Sequence, residues 1–130
     1  MAKYLLDASA LVDWLKGRPV AVRLFEELIG RGQTLAVNAV GVAELYSGLG
    51  EDERAPADRV VESLEYWEID AATAKLAGHY RYMFARRGQP LSVPDTLMAA
   101  HAIANDATLV TGNVKDFPMP ELRLEKLSPG

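Results

Sequence analysis

Four acidic residues occupy positions from which a carboxylate can do chemistry. Asp7 ends the apolar run of YLLDASALVDWL, residues 4–15, with Ser9 two places on. Glu44 lies in NAVGVAELYSGLG, where its helical neighbours would be Val40, Gly41, Ser47 and Gly48, so no lysine or arginine faces it. Asp95 falls in QPLSVPDTLMAAHAIA, three residues after Ser92, and Asp116 follows Asn113 in LVTGNVKDF, residues 109–117. Each has an ordinary account too. Asp7 or Ser9 can cap a helix, Ser92 and Asp95 fit a capping box, and Asn113 and Asp116 suit a turn and a cap. Glu44 alone is compatible with a solvated glutamate.

The chemistry depends on whether they converge. Two carboxylates about 4 Å apart repel by roughly 4 kcal/mol at an effective dielectric of 20, and four impose several such penalties. Either some are protonated or a cation sits among them. With no cysteine and only two histidines in 130 residues, the ligands are oxygens, which select Mg²⁺ or Mn²⁺ over zinc. Such an ion orients a nucleophilic water and offsets charge on a phosphoryl group, so the implied reaction is phosphodiester hydrolysis.

Convergence requires a scaffold. Strand-like runs at 3–7, 34–38, 66–70 and 107–112, and a weaker one near 121–126, alternate with helical patterns at 9–16, 20–30, 39–48, 57–65, 71–87 and 95–105. The polar stretch GEDERAPAD, 50–58, reads as a loop. This alternation predicts an α/β fold, a parallel sheet of four to five strands flanked by helices in three layers, as one domain over 1–130. In such sheets the reactive crevice lies outside the carboxyl ends of the strands. Asp7 and the 113–116 loop follow strands, and Glu44 and Asp95 are expected early on helices lining the same edge.

Composition narrows the function classes. Hydrophobic residues at 49% and charged residues at 25% are globular values. No apolar stretch approaches membrane-spanning length and no signal-type segment opens the chain, so a cytoplasmic protein is expected. A net charge of −4 argues against coating nucleic acid by bulk electrostatics, but not against a local site.

Taken together, LLDAS, AELYSGL, LSVPDTLMAAHAIA and LVTGNVKDF resemble the PIN domain, specifically the VapC-type toxins of prokaryotic toxin–antitoxin pairs. The resemblance spans essentially the whole chain. It implies five parallel strands and a Mg²⁺-dependent endoribonuclease site at Asp7, Glu44, Asp95 and Asp116, with Ser9 supporting Asp7. It further implies RNA ends bearing 5′-phosphate and 3′-hydroxyl groups, a homodimer, and inhibition by a cognate VapB-like antitoxin. Asn113 stands where a further aspartate occurs in some members, which brings a second metal position into question.

An acidic pocket alone repels RNA, so cationic contacts are expected from Lys16, Arg18, Arg86 and Arg87, with Arg81 and Lys115 as further candidates. His79 and His101 have no partner at metal-ligand spacing and read as core or surface residues. Two other classes fit in part. A phospho-accepting receiver domain would use Asp70 at a strand end and Lys115. A PIN-like module without catalysis would bind RNA and leave it intact.

Overall fold

The computed structural model describes residues 1–128. Its strands are β1 (Lys3–Leu6), β2 (Thr34–Val37), β3 (Glu65–Tyr66), β4 (Thr108–Thr111) and β5 (Arg123–Lys126). They form one parallel sheet in the order β3-β2-β1-β4-β5. The expected five-stranded parallel architecture is therefore present. The helices are α1 (Ala8–Leu15), α2 (Pro19–Gly30), α3 (Ala39–Ser47), α4 (Arg54–Glu62), α5 (Ala71–Arg86) and α6 (Val93–Ala104).

The three central strands are almost continuous apolar runs because both of their faces are covered. Side chains alternate between the two faces, so neighbours in one strand enter different cores. Leu5, Ala36 and Leu109 join the α5 and α6 side with Ala77, Phe84 and Met98. Leu6, Val37 and Val110 join the α1 to α4 side with Leu11, Phe25 and Leu45. The edge strand β5 is exposed along its length, and its charged residues Arg123, Glu125 and Lys126 discourage further strand pairing.

Two elements depart from the sequence reading by more than a residue or two at an end. β3 has two residues rather than the expected 66–70. Past Trp67, the Glu68 carbonyl is taken by His101, and Asp70 turns the chain into α5 by accepting the Thr73 N–H at 2.8 Å. The 50–58 stretch is not a loop. A 3₁₀ turn at Glu51–Glu53 runs into α4, which starts earlier and ends earlier than the predicted 57–65. The Gly50 N–H donates to Glu53 Oε1 at 3.0 Å, and Pro56 lies in the first helical turn, where its missing N–H costs nothing.

Candidate active site

The chain builds outward from β1 to β2 and β3, then returns to place β4 and β5 on the opposite side. The order reverses between β1 and β4, and there the connections diverge to opposite faces and leave a crevice at the strands' carboxyl ends. Asp7 follows β1 at that point, and Gly112 and Asn113 follow β4.

Asp7 is only 7% exposed and serves as the N-cap of α1, its Oδ1 accepting the Ala10 N–H at 3.0 Å and the Ser9 hydroxyl at 2.6 Å. Capping and placement at the crevice thus coexist. The Ser9 oxygen in turn accepts the Gly112 N–H at 2.9 Å and lies 3.5 Å from Thr111 Oγ1. Thr111 Oγ1 accepts the Asn113 N–H at 2.9 Å. A hydroxyl clasp therefore joins the end of β1 to the end of β4. Thr111 is fully buried and was missed by sequence reasoning, although a threonine closing the apolar run TLVT is the available signal. Burial pushes the Asp7 carboxyl above its ordinary range, against the opposing hydrogen bonds from Ser9, Thr111 and Ala10.

Asp95 sits in the first turn of α6, whose N-cap, Ser92, accepts the Asp95 N–H at 3.2 Å. Its carboxyl is raised by burial first and then by the charges of Asp116 and Asp7, with a Ser92 hydrogen bond opposing. Glu44 is exposed and occupies the second half of α3, not an early position as expected. Its carboxyl is raised by burial and then by the charges of Asp95 and Asp7. Asp116 closes a 3₁₀ turn, Val114–Asp116, and Asn113 precedes that turn with its carbonyl accepting the Asp116 N–H at 3.0 Å. Acids from four separate segments thus come within electrostatic reach, with Asp7 acting on both Glu44 and Asp95 and Asp116 acting on Asp95. Among the described residues, no three acidic or histidine side chains stand close enough to grip one ion directly.

The cationic candidates divide between two sides. Lys16 lines a cavity of about 230 Å³ with Glu44 and Glu53, and Arg18 is held by Asp13 at 3.5 Å. On the other side, Arg81 and Arg86 line a cleft of about 540 Å³ with Tyr82 and Val93, the residue that opens the Asp95 helix. Arg86 stacks over Tyr82 at 4.6 Å and Arg87 over Phe84 at 5.2 Å, while Arg81 Nε donates to the Leu91 carbonyl. Lys115 is exposed beside Asp116. Asp70 is exposed and caps α5 beyond an edge strand, so it lacks the central strand-end setting that a phospho-accepting aspartate needs. His101 is a satisfied core residue, bonded on both ring nitrogens.

The sequence profile of the PIN domain matches residues 4–118. The chain belongs to the PIN domain family. This PIN domain is 35% identical over 122 residues to Ribonuclease VapC19 of Mycobacterium tuberculosis, an alignment covering 92% of this chain and 96% of that protein. It is 28% identical over 122 residues to the tRNA(fMet)-specific endonuclease VapC of Shigella flexneri, covering 90% and 91%. Its fold is similar to a chain in the crystal structure of VapBC2 from Rickettsia felis bound to a DNA fragment from their promoter. The TM-score is 0.86 at 29% identity, over 97% of this chain and 99% of that one.

Proposed function

We propose that this PIN domain is the endoribonuclease toxin of a VapBC-type pair, hydrolysing RNA phosphodiester bonds with a divalent cation held by Asp7, Glu44, Asp95 and Asp116. The observation that carries this reading is that Asp95 feels the charges of Asp116 and Asp7, and Glu44 those of Asp95 and Asp7, so acids from four segments lie within electrostatic reach around the end of β1, where the sheet order reverses. Three of these carboxyls are raised, an unfavourable state that a cation would relieve. The donor set is all oxygen, and its spread suits an ion that keeps part of its water shell, as Mg²⁺ does, with Mn²⁺ as the alternative. When bound, the ion supplies positive charge against the developing charge of the phosphoryl group.

The chain's own residues do the rest. Asp7 and Asp95 are the principal anchors, and Ser9 fixes the Asp7 carboxylate by hydrogen bonding. Glu44, exposed and raised, accepts the proton of the attacking water. Asp116 completes the acidic rim, with Asn113 orienting the turn that carries it. Lys16, Arg81, Arg86 and Arg87 counter the repulsion between this rim and the RNA backbone. The products are a 5′-phosphate and a 3′-hydroxyl. A homodimer working in the cytoplasm and a VapB-like antitoxin that presents a cation to the cluster belong to the same proposal, and transfer RNA is the first substrate to try. No helix among the described residues is long and apolar enough to cross a membrane.

The test is cleavage of total RNA with Mg²⁺ by the wild type and by Asp7→Asn and Asp95→Asn. Activity in the wild type alone supports the assignment. Equal cleavage by all three indicates contamination, and RNA binding without any cleavage identifies a non-catalytic module.

A further inference from the structure

The two helices that carry Glu44 and Asp95 are tied together by a pair of side chains that the proposed chemistry does not use. Asn38 and His101 are 63 residues apart in sequence, and their exposures are 0% and 1%. Asn38 Nδ2 lies 2.9 Å from His101 Nδ1, and His101 Nε2 lies 3.1 Å from the Glu68 carbonyl oxygen. The proton positions follow by elimination. A carbonyl oxygen only accepts, so Nε2 carries the hydrogen, and Nδ1 of the neutral ring accepts from the Asn38 amide. Asn38 Oδ1 is then left to accept the Gly41 N–H at 3.0 Å, the bond that starts α3. Burial pushes the His101 pKa down, in the direction of the neutral ring, against the opposing Glu68 carbonyl bond and then the charge of Asp70. Trp67 packs its ring against the imidazole at 5.9 Å.

Glu44 lies six residues beyond Asn38 on α3, and Asp95 six residues before His101 on α6. Each acid therefore stands about 9 Å along its helix axis from the shared cross-link. A rotation or slide of α3 against α6 cannot occur without breaking a buried hydrogen bond and leaving both partners unpaired.

Resting on the metal-dependent reading above, we propose that Asn38 and His101 are positioning residues. Their buried hydrogen bond sets the separation of Glu44 and Asp95, and with it the affinity for a divalent cation, although both side chains are closed off from solvent. Asn38→Ser is the informative variant, because serine still caps α3 but is too short to reach His101. His101→Leu removes the acceptor from the other side and leaves the Glu68 carbonyl without its donor in the single and the double variant alike, so the double variant isolates the Asn38–His101 bond.

Titration of Mn²⁺ into each purified protein by calorimetry, without RNA, reads the effect directly, with melting temperature followed in parallel. Asn38→Ser is expected to weaken Mn²⁺ binding by about tenfold, and the double variant to lose no more than the worse single one. Asn38→Ser binding within about twofold of wild type, whatever its melting temperature, overturns the inference. Additive losses in the double variant also overturn it. If His101→Leu does not fold, Asn38→Ser alone decides. A wild type that binds no Mn²⁺ overturns the metal reading and this inference with it, whereas normal wild-type binding with unaltered variants overturns this inference alone.

Discussion

At the scale of single residues, Asp7 concentrates the conflict between stability and chemistry. Its carboxyl is raised by burial, so the native state binds the proton more tightly than the unfolded chain does. Native stability is therefore lost as pH rises from the ordinary carboxylate range through the raised value, and is recovered on acidification. Asp7→Asn keeps the Oδ1 acceptor for Ser9 and Ala10 but removes the buried charge. It is expected to stabilise the protein at pH 7 by about 1 kcal/mol, seen as a rise of about 4 °C in melting temperature. That gain should shrink as pH falls toward the unperturbed aspartate range, while RNA cleavage falls by about a hundredfold or more. A destabilised Asp7→Asn at pH 7 contradicts this account. Ser9→Ala acts in the opposite sense, because the lost hydrogen bond favoured the ionised carboxylate. It should cost about 1 kcal/mol through loss of the part-buried Ser9–Asp7 hydrogen bond, the exposed Gly112 N–H being free to turn to water. It should also move the acid limb of the pH–rate profile to higher pH.

At the scale of elements, two helical glycines make a matched test. A Cβ on Gly41 in α3 would meet the Leu6 carbonyl of β1 at 3.3 Å, whereas one on Gly78 in α5 meets nothing within 4 Å. Gly78→Ala should stabilise by about 1 kcal/mol through helix propensity alone. Gly41→Ala should lose that benefit and lower the melting temperature, because a central-strand carbonyl has little room to move. Both changes raising stability equally would show that α3 is not seated tightly on β1. The elements themselves were legible in the sequence, since buried parallel strands are short apolar runs and Asp7, Ser92 and Asp95 carry cap signals. The end of β3 was not, because Glu68 leaves the sheet to meet a histidine 33 residues away. Greater distances in sequence, 102 and 63 residues, hid the Ser9–Thr111 clasp and the Asn38–His101 pair, and Glu44 was placed too early on its helix. Local patterns reveal which acids stand at element ends, but not the partners that hold them.

At the scale of the whole molecule, the proposed cation site would link metal binding to folding. A cation that binds only the native state stabilises it by RT ln(1 + [L]/Kd), about 2.7 kcal/mol at a hundred times Kd. Thermal melts with rising MnCl₂ should climb logarithmically for the wild type and stay flat for Asp95→Asn, with NaCl at equal ionic strength as the control. Equal shifts in both proteins would reduce the effect to general screening.

The sheet order has a consequence for how the protein is made. β1 is the first strand synthesised, yet one of its two neighbours, β4, is among the last, and Asp116 follows later still. A growing polypeptide on the ribosome holds Asp7 and Glu44 long before their partners exist. The cluster, and any activity it supports, can arise only once nearly the whole described chain has emerged. Under the proposed function, cleavage of RNA by this chain would therefore begin only when its own synthesis is nearly complete.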